Sequence, residues 1–105
     1  MTTNQDAYDR IRAGKVAANL GYSQAQTVSD ANRFLDLYYV YDDELDKLVA
    51  DDLMKSSSQY KVLTQALKGA KKDLEDIIDN IQKLVQTTEA ALKIATIFSK
   101  IIAII

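Results

Sequence analysis

Ser58 and Lys61 stand at the S-x-x-K spacing, the one pairing in this chain that matches a catalytic motif. At the start of a helix, that spacing lets serine acyltransferases of the β-lactamase type hold a nucleophilic hydroxyl beside a basic side chain. The companion motifs of those enzymes are absent, and 105 residues leave no room for the domain that would house the site. A second cluster is acidic: Asp42, Asp43, Glu44, Asp46, Asp51 and Asp52, with Lys47 the single cation among them. Carboxylates at that density suggest calcium, but the ligand spacing and central glycine of an EF-hand loop are missing. On a helix these side chains point in several directions, so the run reads as a solvated acidic face and no metal site is assigned. A third cluster is aromatic: Tyr38, Tyr39 and Tyr41. Tyrosine is favoured at protein interfaces. Its spacing here equally suits a helix that buries Tyr38 and Tyr41 with their hydroxyls at the rim of the core, and that reading is preferred.

The missing residue types narrow the chemistry further. The chain contains no Cys, His, Trp or Pro. Without Cys there is no disulfide, no thiolate nucleophile and no zinc–thiolate site. Without His the usual general base near neutral pH is gone, and with it the commonest transition-metal ligand. No catalytic residue and no cofactor is assigned, and the chain is read as a non-enzyme. A net charge of −2 argues against nucleic acid as the main partner. The first apolar stretch is short and broken by Asp6, Asp9, Arg10, Arg12 and Lys15. It does not read as a cleavable signal peptide, so the expected location is cytoplasmic, or outside the cell by a route that needs no such signal.

The elements that must carry these residues are helices. With no Pro and only three Gly, little interrupts a helix. The length suits one domain, residues 1–105. Three segments are predicted, at roughly 4–20, 24–55 and 58–105. Thr3 or Asn4 caps the first, and Gly21 closes it in a left-handed conformation. The start of the second is ambiguous, because Ser23 with Gln26 and Thr27 with Asp30 both have capping-box spacing. A turn falls at Ser56, Ser57 and Ser58, whose hydroxyls compete for backbone partners. Ser56 and Gln59 then have the spacing of a third box. Folding back at that turn sets the acidic run beside Lys61, Lys68, Lys71 and Lys72, which selects an orientation more than it adds energy.

The third segment carries the strongest pattern. From Leu63 an apolar stripe recurs at alternating steps of four and three through Leu67, Ala70, Leu74, Ile77, Ile81, Leu84, Ala91, Ala95, Phe98, Ile102 and Ile105, with Thr88 its one polar member. That spacing predicts a single helix about 70 Å long with a face toward other helices, Gly69 allowing a slight bend. Ile78, Val85 and Leu92 widen the face. The last sixteen residues, AALKIATIFSKIIAII, are apolar almost all round. Such a helix is either buried on several sides or in contact with lipid. In the lipid reading, Ile94, Ile97, Phe98, Ile101 and Ile104 enter the membrane surface while Lys93 and Lys100 face the headgroups.

The expected fold is therefore all-α: an elongated antiparallel hairpin or three-helix bundle with a long C-terminal helix and coiled-coil-like packing. The expected function is a helical interaction protein that forms a homo-oligomer or binds a helical partner. Its contact face would be Leu63, Leu67, Leu74, Ile77, Ile81, Leu84, Phe98, Ile102 and Ile105. The alternative is a membrane-active protein, pore-forming or lytic, inserting its C-terminal segment. No motif ties the chain to a family.

Overall fold

Thr3 and Asp6 satisfy each other's backbone at the first helix start: the Asp6 N–H donates to Thr3 Oγ1 at 3.1 Å, and the Thr3 N–H to the Asp6 carboxylate at 3.3 Å. The computed structural model describes residues 2–51 and 57–105. Its helices are α1 (Asn4–Gln24), α2 (Val28–Asp51), the single-turn α3 (Gln65–Lys68), α4 (Lys71–Leu84) and α5 (Thr88–Ile102). The fold is an all-α bundle, as its sequence implies. It measures 40 × 21 × 20 Å, too short for a 70 Å helix.

The predicted helix boundaries differ from the observed ones in three places. Gly21 does not end α1. The helix runs on to Gln24, and no glycine adopts a positive φ. Gly21 instead makes room, because a Cβ there would collide with the Phe34 ring. Among the competing caps, Thr27 starts α2, its hydroxyl accepting the Asp30 N–H at 3.0 Å. The predicted end of this helix near residue 55 lies outside the described residues.

The third difference is the largest. Residues 58–105 are not one helix. Gln59 sits in an antiparallel bridge with Thr3, and Thr64 rather than Ser56 caps the next helix, α3. Ser56 itself lies outside the described residues. Gly69 and Ala70 form a slight turn in right-handed backbone. A full break comes at Val85–Thr87, where Val85 (φ −124°, ψ 162°) and Thr87 (φ −120°, ψ 147°) are extended. Thr87 Oγ1 then accepts the Ala90 N–H at 3.1 Å and starts α5. The stripe keeps its spacing through the break because the chain doubles back with the same face inward. Its polar member, Thr88, is exposed at the corner.

Two hairpins result, α1–α2 and α4–α5, joined at their loops by a reciprocal set of bonds. Gln26 N donates to Leu84 O at 2.9 Å, and Gln86 N to Gln24 O at 2.9 Å. The Gln26 side-chain amide donates to Val85 O at 3.0 Å, and that of Gln86 to Ala25 O at 3.4 Å. Exchanging 24–27 for 84–87 leaves the pattern unchanged, so the two connections are related by a local two-fold around the Ala25–Val85 bridge. The same shift pairs buried positions along the helices: Ala7 with Leu67, Gly14 with Leu74, Ala17 with Ile77, and Gly21 with Ile81.

The side chains break this symmetry. Small residues let α1 pack closely on both α2 and α5, while α5 packs on α4. The α2 and α4 backbones approach each other much less closely. Arg33 spans them, binding Asp73 at 2.7 Å and Asp76 at 3.0 Å. The core between is filled by Phe34, Tyr41, Leu48, Leu74, Ile77, Ile94, Phe98 and Ile101. At the other end of the bundle, Glu44 is wholly buried and accepts four bonds. Tyr60 Oη (2.6 Å) and Leu63 N (2.9 Å) donate to one oxygen, and Thr64 N and Thr64 Oγ1 (both 2.9 Å) to the other. This carboxylate fastens the extended segment before α3 to α2.

Candidate functional site

The outer side of the α1–α2 hairpin carries a shallow groove. Two depressions of about 370 and 290 Å³ share Asn19 and Tyr38 as lining residues, so they form one feature along the helix pair. Helical spacing on α1 brings Tyr8, Arg12, Lys15, Val16 and Tyr22 to one bank, and on α2 brings Leu35, Tyr38, Tyr39 and Leu45 to the other. Several are apolar yet open to solvent: Val16 is 60% exposed, Tyr39 56% and Tyr22 46%. The Tyr38 and Tyr39 rings meet edge to face, with centroids 5.6 Å apart.

The banks carry opposite charge. Lys15 bridges them, its Nζ lying 2.7 Å from Asp42 Oδ1 and 5.1 Å from the Tyr38 ring centre. The hydrogen bond to Asp42 raises the Lys15 pKa, and the nearby Asp46 charge adds to the effect. On the α2 bank, the Asp42, Asp43 and Asp46 carboxylates lie within 4.8 Å of one another. Among the described residues, only Asp42 of the three has an ion-pair partner. Arg12, on the α1 bank, is exposed and forms no ion pair among the described residues.

The residues expected to form the contact face are brought together, but around the chain's own core. Leu67, Leu74, Ile77, Ile81, Leu84 and Phe98 are buried against the other helices, while Leu63, Ile102 and Ile105 are half-buried. The expected membrane segment shares that fate: Ile94, Phe98 and Ile101 are buried, and Ile97 and Ile104 half-buried. Among the described residues, no helix is long and apolar enough to cross a membrane. Ser58 and Lys61 are exposed and lie outside any helix, so S-x-x-K geometry does not form. The expected pairing of the acidic run with Lys61, Lys68, Lys71 and Lys72 is not seen among the described residues. The ion pairs join Lys15 to Asp42 and Arg33 to Asp73 and Asp76 instead.

Glu44 belongs by sequence to the acidic run, yet its carboxylate is wholly buried. Its signal is spacing: Tyr41, Glu44, Leu45 and Leu48 share the inward face of α2. With four donors on its two oxygens, Glu44 is committed to holding the fold. Tyr38 and Tyr39 line the groove, while Tyr41 enters the core. The groove itself was not legible as a unit, because it joins weakly apolar positions of two helices. The chain matches no protein-family model, no curated protein and no solved structure.

Proposed function

We propose that this chain is a non-enzymatic interaction module that docks a helical partner in the α1–α2 groove. One observation carries the reading: exposed apolar side chains gather at this groove, with Val16, Tyr22 and Tyr39 flanking the half-buried Tyr38 and Tyr8. Grouped apolar and aromatic residues beside charged ones are the composition of docking surfaces. A groove between two helices also offers the shape that receives a third helix. The C-terminal stripe is not carried forward as the docking face, because most of it already packs inside the chain. Membrane insertion of residues 94–104 would require α5 to leave the core, and no observation favours it.

The test is a selection of helical peptides displayed on phage, panned against the full chain. Each recovered peptide is re-assayed against Val16→Asp and Tyr39→Asp variants whose helical circular dichroism is unchanged. Peptides that lose about tenfold or more in affinity on both variants support the groove as the docking surface. Recovery only of peptides indifferent to both substitutions defeats it.

A further inference from the structure

We infer that the groove's occupant is the same groove of a second copy, the two chains related by a two-fold axis running along it. This rests on the docking reading above and names its partner. The argument is charge complementarity. One bank carries Arg12, exposed and without an ion-pair partner among the described residues. The other carries Asp43 and Asp46, exposed beside Asp42; among the described residues the cluster's one ion pair is Lys15 with Asp42, and Lys47, one turn beyond Asp43, forms none. Three carboxylates within 4.8 Å repel one another, and an additional cation on them relieves that repulsion.

The register agrees. A two-fold axis parallel to the helices lays α1 of each copy over α2 of the other without sliding them lengthwise. Residues level with each other inside one chain then face each other across the interface. Lys15 is level with Asp42, as their 2.7 Å contact shows. One turn further along these antiparallel helices, Arg12 is level with Asp46. Arg12 of each copy therefore meets Asp46 of the other, twice, as a self-complementary interface requires. The same arrangement sets the exposed Val16 and Tyr22 of one copy on either side of Tyr38 and Tyr39 of the other, each about one helical turn away along the axis and within reach of the tyrosine rings, removing apolar surface from water. Apolar contact supplies affinity, and the two charge pairs set the orientation.

Sedimentation equilibrium on the full chain tests this at low ionic strength, where exposed charges act most strongly. The wild-type chain is expected to dimerise. Arg12→Glu and Asp46→Arg should each weaken the dimer about tenfold or more, since each substitution creates two like-charge pairs. Mixing the two variants in equal amounts should restore a heterodimer, because both contacts become Glu–Arg or Asp–Arg. Circular dichroism of each variant alone confirms that it folds. A wild-type chain that stays monomeric up to millimolar concentration overturns the second copy as occupant. The peptide selection then judges the docking reading separately, so the two failures are distinguishable. A dimer indifferent to both substitutions overturns the geometry. A dimer weakened by each substitution but not restored on mixing overturns the two-fold pairing of Arg12 with Asp46.

Discussion

The hairpins α1–α2 and α4–α5 reach the same plan from opposite distributions of side-chain volume. In the first, the helix facing the core is lined by Ala7, Gly14, Ala17, Ala18 and Gly21, and α2 brings the bulk, Phe34 and Tyr41. In the second, the equivalent positions on α4 and just before it hold Leu67, Leu74, Ile77 and Ile81, while α5 brings Ile94 and Ile101. A core at fixed density can be filled from either side of a hairpin. The outer surfaces follow from this. The second hairpin buries most of its large apolar residues, leaving Leu92 as its exposed one. The first keeps aromatic and β-branched residues on its outside, at Val16, Tyr22 and Tyr39. One hairpin mainly builds the core, and the other builds the core and also leaves large apolar side chains exposed.

The comparison breaks most sharply at Glu44, which has no counterpart, since the equivalent position in the second hairpin is Ile104. Replacing Glu44 with Ala leaves the Tyr60 hydroxyl and the Leu63 and Thr64 N–H groups without their acceptor. Part-buried donors left unpaired cost about 1–3 kcal/mol each when water cannot reach them, and less when it can. Glu44→Ala should therefore lower stability by about 2–4 kcal/mol in urea unfolding. The neighbouring Asp43→Ala, at an exposed position, should stay within about 0.5 kcal/mol. Equal, small effects would mean that Glu44 does not fasten the connection between the hairpins.

The next largest effect falls on the glycines. A Cβ at Gly21 meets the body of the Phe34 ring, which is wholly buried and has nowhere to move. Overpacking of this kind costs about 1–3 kcal/mol, more than the roughly 1 kcal/mol that Ala gains over Gly in a helix. A Cβ at Gly14 meets mainly the terminal methyl of Ile101, which can rotate away, with the Tyr41 ring at 3.0 Å. Gly21→Ala should thus lower the melting temperature, and Gly14→Ala should leave it within a few degrees of wild type. The reverse ranking would show that α1 is not held against Phe34 as closely as its small residues allow.

These positions also show what was readable in advance. The all-α class and the inward face of the C-terminal stripe follow from spacing alone, while for the α1 cap the sequence offers Thr3 or Asn4 and the structure selects Thr3. The break at Val85–Thr87 was hidden because a hairpin bend preserved the four–three rhythm. Its signals were local: two β-branched residues around Gln86, and the polar Thr88 in an otherwise apolar stripe. The same Gln-Thr pair at 26–27 opens α2. Gly21 looked like a terminator because a single chain does not reveal that Phe34, on the next helix, will claim its space. That most of the expected contact face packs on the chain's own helices has a related reason. Periodicity shows that a face will be buried, not whether the partner is another chain or the preceding helices.

The smallest effect isolates one atom. Tyr41 and Ile101 occupy equivalent places in the two hairpins, and both are buried. Tyr41 carries a hydroxyl that finds no hydrogen-bond partner among the described residues. Removing it in Tyr41→Phe keeps the ring contact with Phe98, whose centroid is 5.9 Å away, and removes an unsatisfied polar group. The variant should be as stable as wild type or more stable by about 1 kcal/mol at neutral pH. Alkaline pH enlarges the difference. Burial pushes the Tyr41 pKa well above the ordinary value of 10.0, and burial, with the Glu44 hydrogen bond and charge, does the same for Tyr60. Both phenols are therefore neutral in the folded state above pH 10, while the unfolded chain releases their protons. Their contribution to stability is complete below pH 10 and falls above it, by about 1.4 kcal/mol per pH unit for each tyrosine. Urea unfolding at successive pH values should show Tyr41→Phe losing stability about half as steeply from this source, its advantage over wild type widening as pH rises. A constant difference across that range would mean that the Tyr41 hydroxyl reaches water, and that the two hairpins are alike at this position.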